Sequence, residues 1–209
     1  MNIDKISCFN QSFMQNIRPI QKVQSYFKCD TESMADKFIK TVDIGSTDAF
    51  PEGILSNFTE SHFTLDGKKI NSMEGFLQAL KTPDVKQQED ICQLVGYQAK
   101  KIGHKLKKKG IYTPGTAYWN GKSYERGSKE FSDLLKRAYN AKYDADAEFR
   151  TALQATKGSK LVHSIGKNEI METILTEKEF VDILTELRDK NYQKRIKFFM
   201  QDLLKKLHL

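Results

Sequence analysis

The sequence predicts an α+β fold: a mostly helical compact single domain with a few short strands. Three observations carry that prediction. Apolar residues recur at helical spacing in several separate segments, an Asp-Gly dipeptide sits between two short apolar runs, and Ser, Thr or Asn stands where several helical patterns begin. The 209 residues suffice for one sizeable domain with appendages.

Residues 1–45 show no sustained period. Within them "VQSYFKCD" (23–30) reads as a strand and "ESMADKFIKTVD" (32–43) as a short helix or strand. The stretch "IGSTDAFPEG" (44–53) has loop composition and marks the junction with the main body. In "HFTLDGKKI", Phe63 and Leu65 alternate before Asp66-Gly67, and Ile70 follows. Both turn residues tolerate positive φ, so a hairpin is expected. Asn71 or Ser72 caps the helix that opens with "SMEGFLQALK" (72–81). Thr82-Pro83-Asp84 ends it and begins another, with Pro at the first helical position, burying Ile91, Leu94 and Val95 before Gly96 interrupts.

"AKKIGHKLKKKG" (99–110) carries six lysines and reads as a solvated helix end, where the dipole favours cations. Ser128 caps a helix whose Phe131, Leu134, Leu135, Ala138 and Tyr139 share one face. A shorter helix holds Phe149 and Leu153, and "KLVHSI" reads as a buried strand. Thr176 and Glu179 form a capping box that opens a helix with Phe180, Ile183, Leu184 and Leu187 inward. The last twenty residues form a separate basic amphipathic helix, expected to dock its apolar face on its own domain. The resulting organisation is an N-terminal extension (1–49), a central domain (50–188) and a terminal helix (189–209).

Composition narrows the functional classes. No apolar run approaches the roughly 20 residues that span a bilayer, and "MNIDKISCFNQSF" lacks the pattern of a secretory signal. A cytoplasmic protein with no membrane role is expected. Cys8, Cys29 and Cys92 are widely separated and the four histidines are scattered, so neither a disulfide framework nor a metal site is expected. The net charge of +7 favours anionic partners such as nucleotides or nucleic acid.

The helix at 72–81 holds the sharpest pattern. At roughly 100° per residue, Glu74, Gln78 and Lys81 share one narrow stripe, apart from Met73, Phe76, Leu77 and Leu80. A carboxylate, an amide and an amine spaced i, i+4, i+7 make either a solvated polar face or one wall of a reactive cleft.

Several signatures in order resemble the NADAR family, the YbiA-like proteins. They are "ILSNF" (54–58), "FTLDGKKINSMEGFLQALK" (63–81), "YWNGKSYER" (118–126), "RAYNAKYDADAEFRTAL" (137–153) and "KLVHSIGKNE" (160–169). The similarity spans about residues 50 to 188. It implies an N-glycosidase that uses no cofactor. One branch of the family acts on phosphoribosylated riboflavin intermediates. Another removes ADP-ribose from guanine in DNA and accompanies ADP-ribosyltransferase toxins, which implies an antitoxin role with a toxin as partner. The implied ligand is ADP-ribosylated nucleic acid or an ADP-ribose-type nucleotide.

The resemblance turns the stripe toward a cleft. Glu74 then stabilises an oxocarbenium-like sugar, orients its hydroxyls or activates water. Lys81 protonates the departing base or, as a neutral amine, attacks the opened sugar. Gln78 binds substrate or holds the pair in geometry. Trp119 is a base-stacking ring on the resemblance and a core ring on its own terms. Asn57 meets the ribose or ties a turn. Arg126 and Lys142 match basic positions suited to a pyrophosphate, or are surface cations. The family's acidic residue after the strand falls on Glu169 or its neighbour Asn168, without the Trp-Gly that usually follows; "HSIGK" matches a bacterial and phage-like subset. Glu169 is expected as a second carboxylate, and His163 as a structural histidine. A non-catalytic ADP-ribose-binding module is the rival reading, with an interaction protein working through its terminal helix as a third.

Overall fold

A computed structural model describes residues 40–206, and the strand and most of the helix-or-strand expected within 23–43 lie outside the described residues. Three two-stranded sheets alternate with seven helices among them. In chain order these are β1 (Thr41–Asp43), α1 (Glu52–Leu55), β2 (Glu60–Leu65), β3 (Lys68–Ser72), α2 (Met73–Ala79), α3 (Val85–Cys92), α4 (Gly96–Lys108), β4 (Thr116–Trp119), β5 (Lys122–Glu125), α5 (Lys129–Ala145), α6 (Ala147–Ala155), β6 (Lys160–Val162) and α7 (Glu177–Lys206). The α+β prediction and its mostly helical balance hold.

Local chemistry explains most boundaries. Asp66 and Gly67 take φ of 49° and 81° and close the β2–β3 hairpin. Asn120-Gly121, at φ 51° and 77°, closes β4–β5 in the same way, a signal that the sequence carried and that the expected elements did not include. Ser72 caps α2 by accepting from Gly75 N, and Ser128 caps α5 from Phe131 N. Thr176 and Glu179 complete the capping box of α7.

Three boundaries differ from expectation. Asp84, not Pro83, introduces α3, because its carboxylate accepts from both Lys86 N and Gln87 N. That helix ends at Cys92 rather than near 95, since Gly96 lies at φ 50° and restarts the chain as α4. Leu94 and Val95 are accordingly only half-buried. The terminal helix is not separate: α7 runs unbroken through 189, with neither Gly nor Pro across the expected joint, and its Ile196, Phe199 and Met200 are exposed.

The core lies between α2, α5 and α7, where Phe76, Trp119, Phe131, Tyr139, Phe149 and Phe180 are fully buried. Helix α2 packs against α3 and α4 on one side and touches α5 on the other. Short β1 lies parallel to β6, Val42 opposite Leu161, joining the start of the described chain to a strand near its end. That junction and α2 together frame the cavity described below.

Candidate active site

Helix α2 reaches the site because two glycines let its neighbours approach. A Cβ on Gly75 would stand 2.7 Å from Leu94 O, and one on Gly103 of α4 only 1.6 Å from Gln78 Oε1. The polar stripe of α2 is therefore pressed between neighbours rather than solvated. Glu74, Gln78 and Lys81 all line a cavity of about 360 Å³, within the range of small-molecule sites. The segment after α1 adds Asn57, α4 adds Lys100 and His104, and the span from β6 into α7 closes the far wall.

Glu74 is buried, and Gln78 Nε2 donates to its Oε1 at 2.8 Å. Burial holds its carboxyl above the ordinary glutamate range, against the opposing pull of Gln78 and of Lys81, Lys100 and His163. Burial likewise brings Lys81 down to about 8; Glu74 opposes that fall, and Lys107 and Lys100 add to it. The site thus holds an acid that is harder than usual to ionise beside an amine that is easier than usual to neutralise. Such opposed shifts are common where proton transfer is performed.

Asn57 is fixed from two directions. Its carbonyl oxygen accepts from Glu74 N at 2.8 Å, and its Oδ1 accepts from the Tyr139 hydroxyl at 2.8 Å. Those bonds leave its amide N–H groups for a ligand. His163 also lines the cavity. Its Nδ1 lies 2.7 Å from Ile44 O, an acceptor, which places the proton on Nδ1 and frees Nε2. Its ring packs edge-on against Phe180, so the histidine is a structural element that also forms part of the wall.

Four expected residues lie elsewhere. Trp119 is 1% exposed and does not line the cavity. Its Nε1 donates to Asp66, and its ring meets Phe76 edge-on at 5.0 Å. Phe76 lies on the face of α2 opposite the stripe, so the indole is a core ring. Arg126 is buried too, bidentate to Glu179 at 2.9 and 3.0 Å and stacked over Phe131. Its Nη2 also donates to Thr173 O at 3.4 Å, so it braces the cavity wall from behind. Lys142 is fully buried over the Phe149 ring and does not line the cavity. Glu169 is exposed in a turn; the carboxylate of that segment lining the cavity is Glu172, paired to Lys167 at 2.8 Å.

Lys100, His104, Lys167 and Glu172 are the titratable lining residues that sequence reasoning missed. Lys100 and His104 stand one turn apart within the lysine run, a spacing that the charge run itself concealed.

The fold is that of a small α+β protein of the NADAR type, a family that suggests a hydrolase of the glycosidase type. The chain belongs to the family of bacteriophage protein GP30.3, whose model matches residues 49–189. It is 38% identical over 149 residues to the uncharacterized 17.1 kDa protein of the Gp30-rIII intergenic region of enterobacteria phage T4, covering 71% of this chain and 97% of that one. The E. coli protein YbiA, solved by NMR, shares the fold with a TM-score of 0.52 and 21% identity, over 75% of this chain and 88% of YbiA. No helix among the described residues is long and apolar enough to cross a membrane.

Proposed function

We propose that this protein is an N-glycosidase that hydrolyses an ADP-ribose conjugate, and that the conjugate is ADP-ribosylated guanine in DNA. The observation that carries the reading is the Glu74–Gln78–Lys81 stripe, its first two residues buried and Lys81 half-buried, on the wall of a cavity whose other lining includes Lys100, His104 and Lys167. A carboxylate beside cations suits a substrate that develops positive charge at the sugar while carrying negative charge on its phosphates. The net charge of +7 favours a substrate held on a polyanion over a free metabolite such as a riboflavin-pathway intermediate.

The chemistry follows from the two shifted groups. Glu74 as carboxylate takes a proton from water, whose oxygen joins the anomeric carbon. The bond from that carbon to the base nitrogen breaks, its electron pair leaves on the base, and the Lys81 ammonium supplies the proton that nitrogen needs. Proton transfer from Glu74 to Lys81 restores the site. Gln78 keeps the carboxylate aimed, and the Asn57 amide is placed to meet ribose hydroxyls. In the other route the neutral Lys81 amine attacks the anomeric carbon, the bond to the base nitrogen breaks with its electron pair on the base, and the base takes the proton that the amine sheds. Ring opening then gives a Schiff base, which water hydrolyses to free sugar and amine.

The test is release of ADP-ribose from an oligonucleotide ADP-ribosylated on guanine. Wild type is expected to release it, and Glu74→Gln to lower kcat about 100-fold or more, the usual scale for losing a charge-stabilising group. Absence of release by wild type overturns the reading. The pH profile separates the routes. Glu74 must be ionised in either, so kcat/KM rises through a pKa above the ordinary 4.5. With Lys81 as proton donor the rate then falls through about pH 8; with Lys81 as nucleophile it continues to rise there, and borohydride traps an adduct.

A further inference from the structure

Helix α4 is basic along its length and carries no acidic residue. Its last turn explains part of this, since Lys105, Lys107 and Lys108 sit where the dipole favours cations. Lys100 and Lys101 lie in the first half, where it does not. None of these five forms an ion pair among the described residues, whereas Lys129 and Lys178 on other helices pair with Asp133 and Asp182 one turn on.

At roughly 100° per residue, the core side of α4 is defined by Ala99, Gly103 and Leu106, all buried. The opposite arc runs in order Lys107, Lys100, His104, Tyr97, Lys108, Lys101, Lys105. Tyr97 stands near its middle and is 72% exposed, unusual for so large a ring with no described packing partner. One edge of the arc is the cavity itself, where Lys100 and His104 form part of the lining. Lys107 is near enough to act on both Lys81 and Glu172. An exposed aromatic flanked by unpaired lysines is the pattern of a surface that follows a nucleic-acid backbone and stacks one of its bases.

We propose that the outer arc of α4, formed by Tyr97, Lys101, Lys105 and Lys108, is the track on which a nucleic-acid strand lies. Phosphates meet the three lysines, a base stacks on Tyr97, and the appended nucleotide of a modified base passes over Lys100 and His104 into the cavity. This deepens the DNA reading above and rests on it for the last step, but the binding surface is measurable without it.

The probe is an unmodified 20-nucleotide single-stranded oligodeoxynucleotide with a fluorescent end, titrated with the full chain at several salt concentrations. Wild type is expected to bind with a steep salt dependence. The triple variant Lys101→Gln, Lys105→Gln, Lys108→Gln lowers the log–log salt slope by about 2, at about 0.7 per phosphate on a single strand. Tyr97→Ala weakens binding roughly tenfold and leaves the slope unchanged, as expected for a lost stack. A control triple of exposed lysines elsewhere, Lys86→Gln, Lys160→Gln, Lys190→Gln, leaves both unchanged. Failure of wild type to bind, or an equal loss in the control triple, overturns the proposal. Loss confined to the arc in a protein that releases no ADP-ribose sustains the track and sinks the glycosidase reading, so the two failures are told apart.

Discussion

Lys142 carries its ammonium between α5 and α6, with the Phe149 ring 4.3 Å away and no hydrogen-bond acceptor. Burial brings it down to about 8, with Asp146 opposing. Because this folded value lies below the 10.5 of an ordinary lysine, the unfolded chain binds more protons between about pH 8 and 10.5, and stability rises with pH across that window. Below about pH 8 the full cost is present. Lys142→Met keeps the volume and removes the charge, so it is expected to stabilise the protein by about 2 kcal/mol at pH 7, with the gain vanishing above pH 10.5. Urea titrations at pH 7 and 10.5 check this, and a loss of stability at pH 7 refutes it. At this scale the sequence was partly legible. Glu74, Gln78 and Lys81 announced a shared face because helical spacing is a local property. Whether Trp119 or Arg126 faces a ligand or the core depends on partners such as Phe76 and Glu179, remote in sequence, and no spacing reveals that.

Helices α2 and α4 meet through Gly103, and the contact bears on chemistry more than on stability. A Cβ there collides with the amide end of Gln78, a flexible group that can swing aside. Gly103→Ala gains about 1 kcal/mol in helix propensity, which offsets much of the crowding, so the melting temperature is expected to move little. The displaced Gln78 loses its 2.8 Å bond to Glu74, a bond that lowers the carboxyl pKa. The acid limb of the pH profile therefore moves to higher pH, and kcat falls roughly tenfold. In the Gln78→Ala background Gly103→Ala costs no further activity; an additive loss removes the explanation. Elements were the most legible level. Ser72, Ser128 and the Thr176–Glu179 box act within a few residues, so their signals survive in a linear reading. The end of α3 was misplaced because apolar Leu94 and Val95 continue the helical pattern past the point where Gly96 turns the backbone.

At the scale of the whole molecule, the pairing of β1 with β6 is what closes the fold behind the cavity. These strands have three residues each, and Thr41 opposes Lys160, so no local pattern could announce a pairing across that separation. Loop composition at 44–53 placed the start of the central domain at 50, close to the family match at 49–189, and β1, which precedes it, packs in the same compact unit as the rest of the described chain. Val42 and Ile44, 2% and 1% exposed, lie on the near side of that proposed boundary. So do Asp43, which accepts from Ser164 N and Oγ at 2.9 and 2.5 Å, and the Ile44 carbonyl that orients His163. Two chains, 40–209 and 50–209, isolate this contribution, since they differ only in residues 40–49. Burying Val42 and Ile44 contributes about 3–6 kcal/mol at the usual value per side chain, comparable with the entire stability of a small domain. The longer chain is expected to unfold cooperatively in urea. The shorter one is expected to lose most of that stability and, with the His163 wall released, its turnover of an ADP-ribosylated oligonucleotide. Equal urea midpoints for the two would mean that β1 merely rests on a domain complete without it.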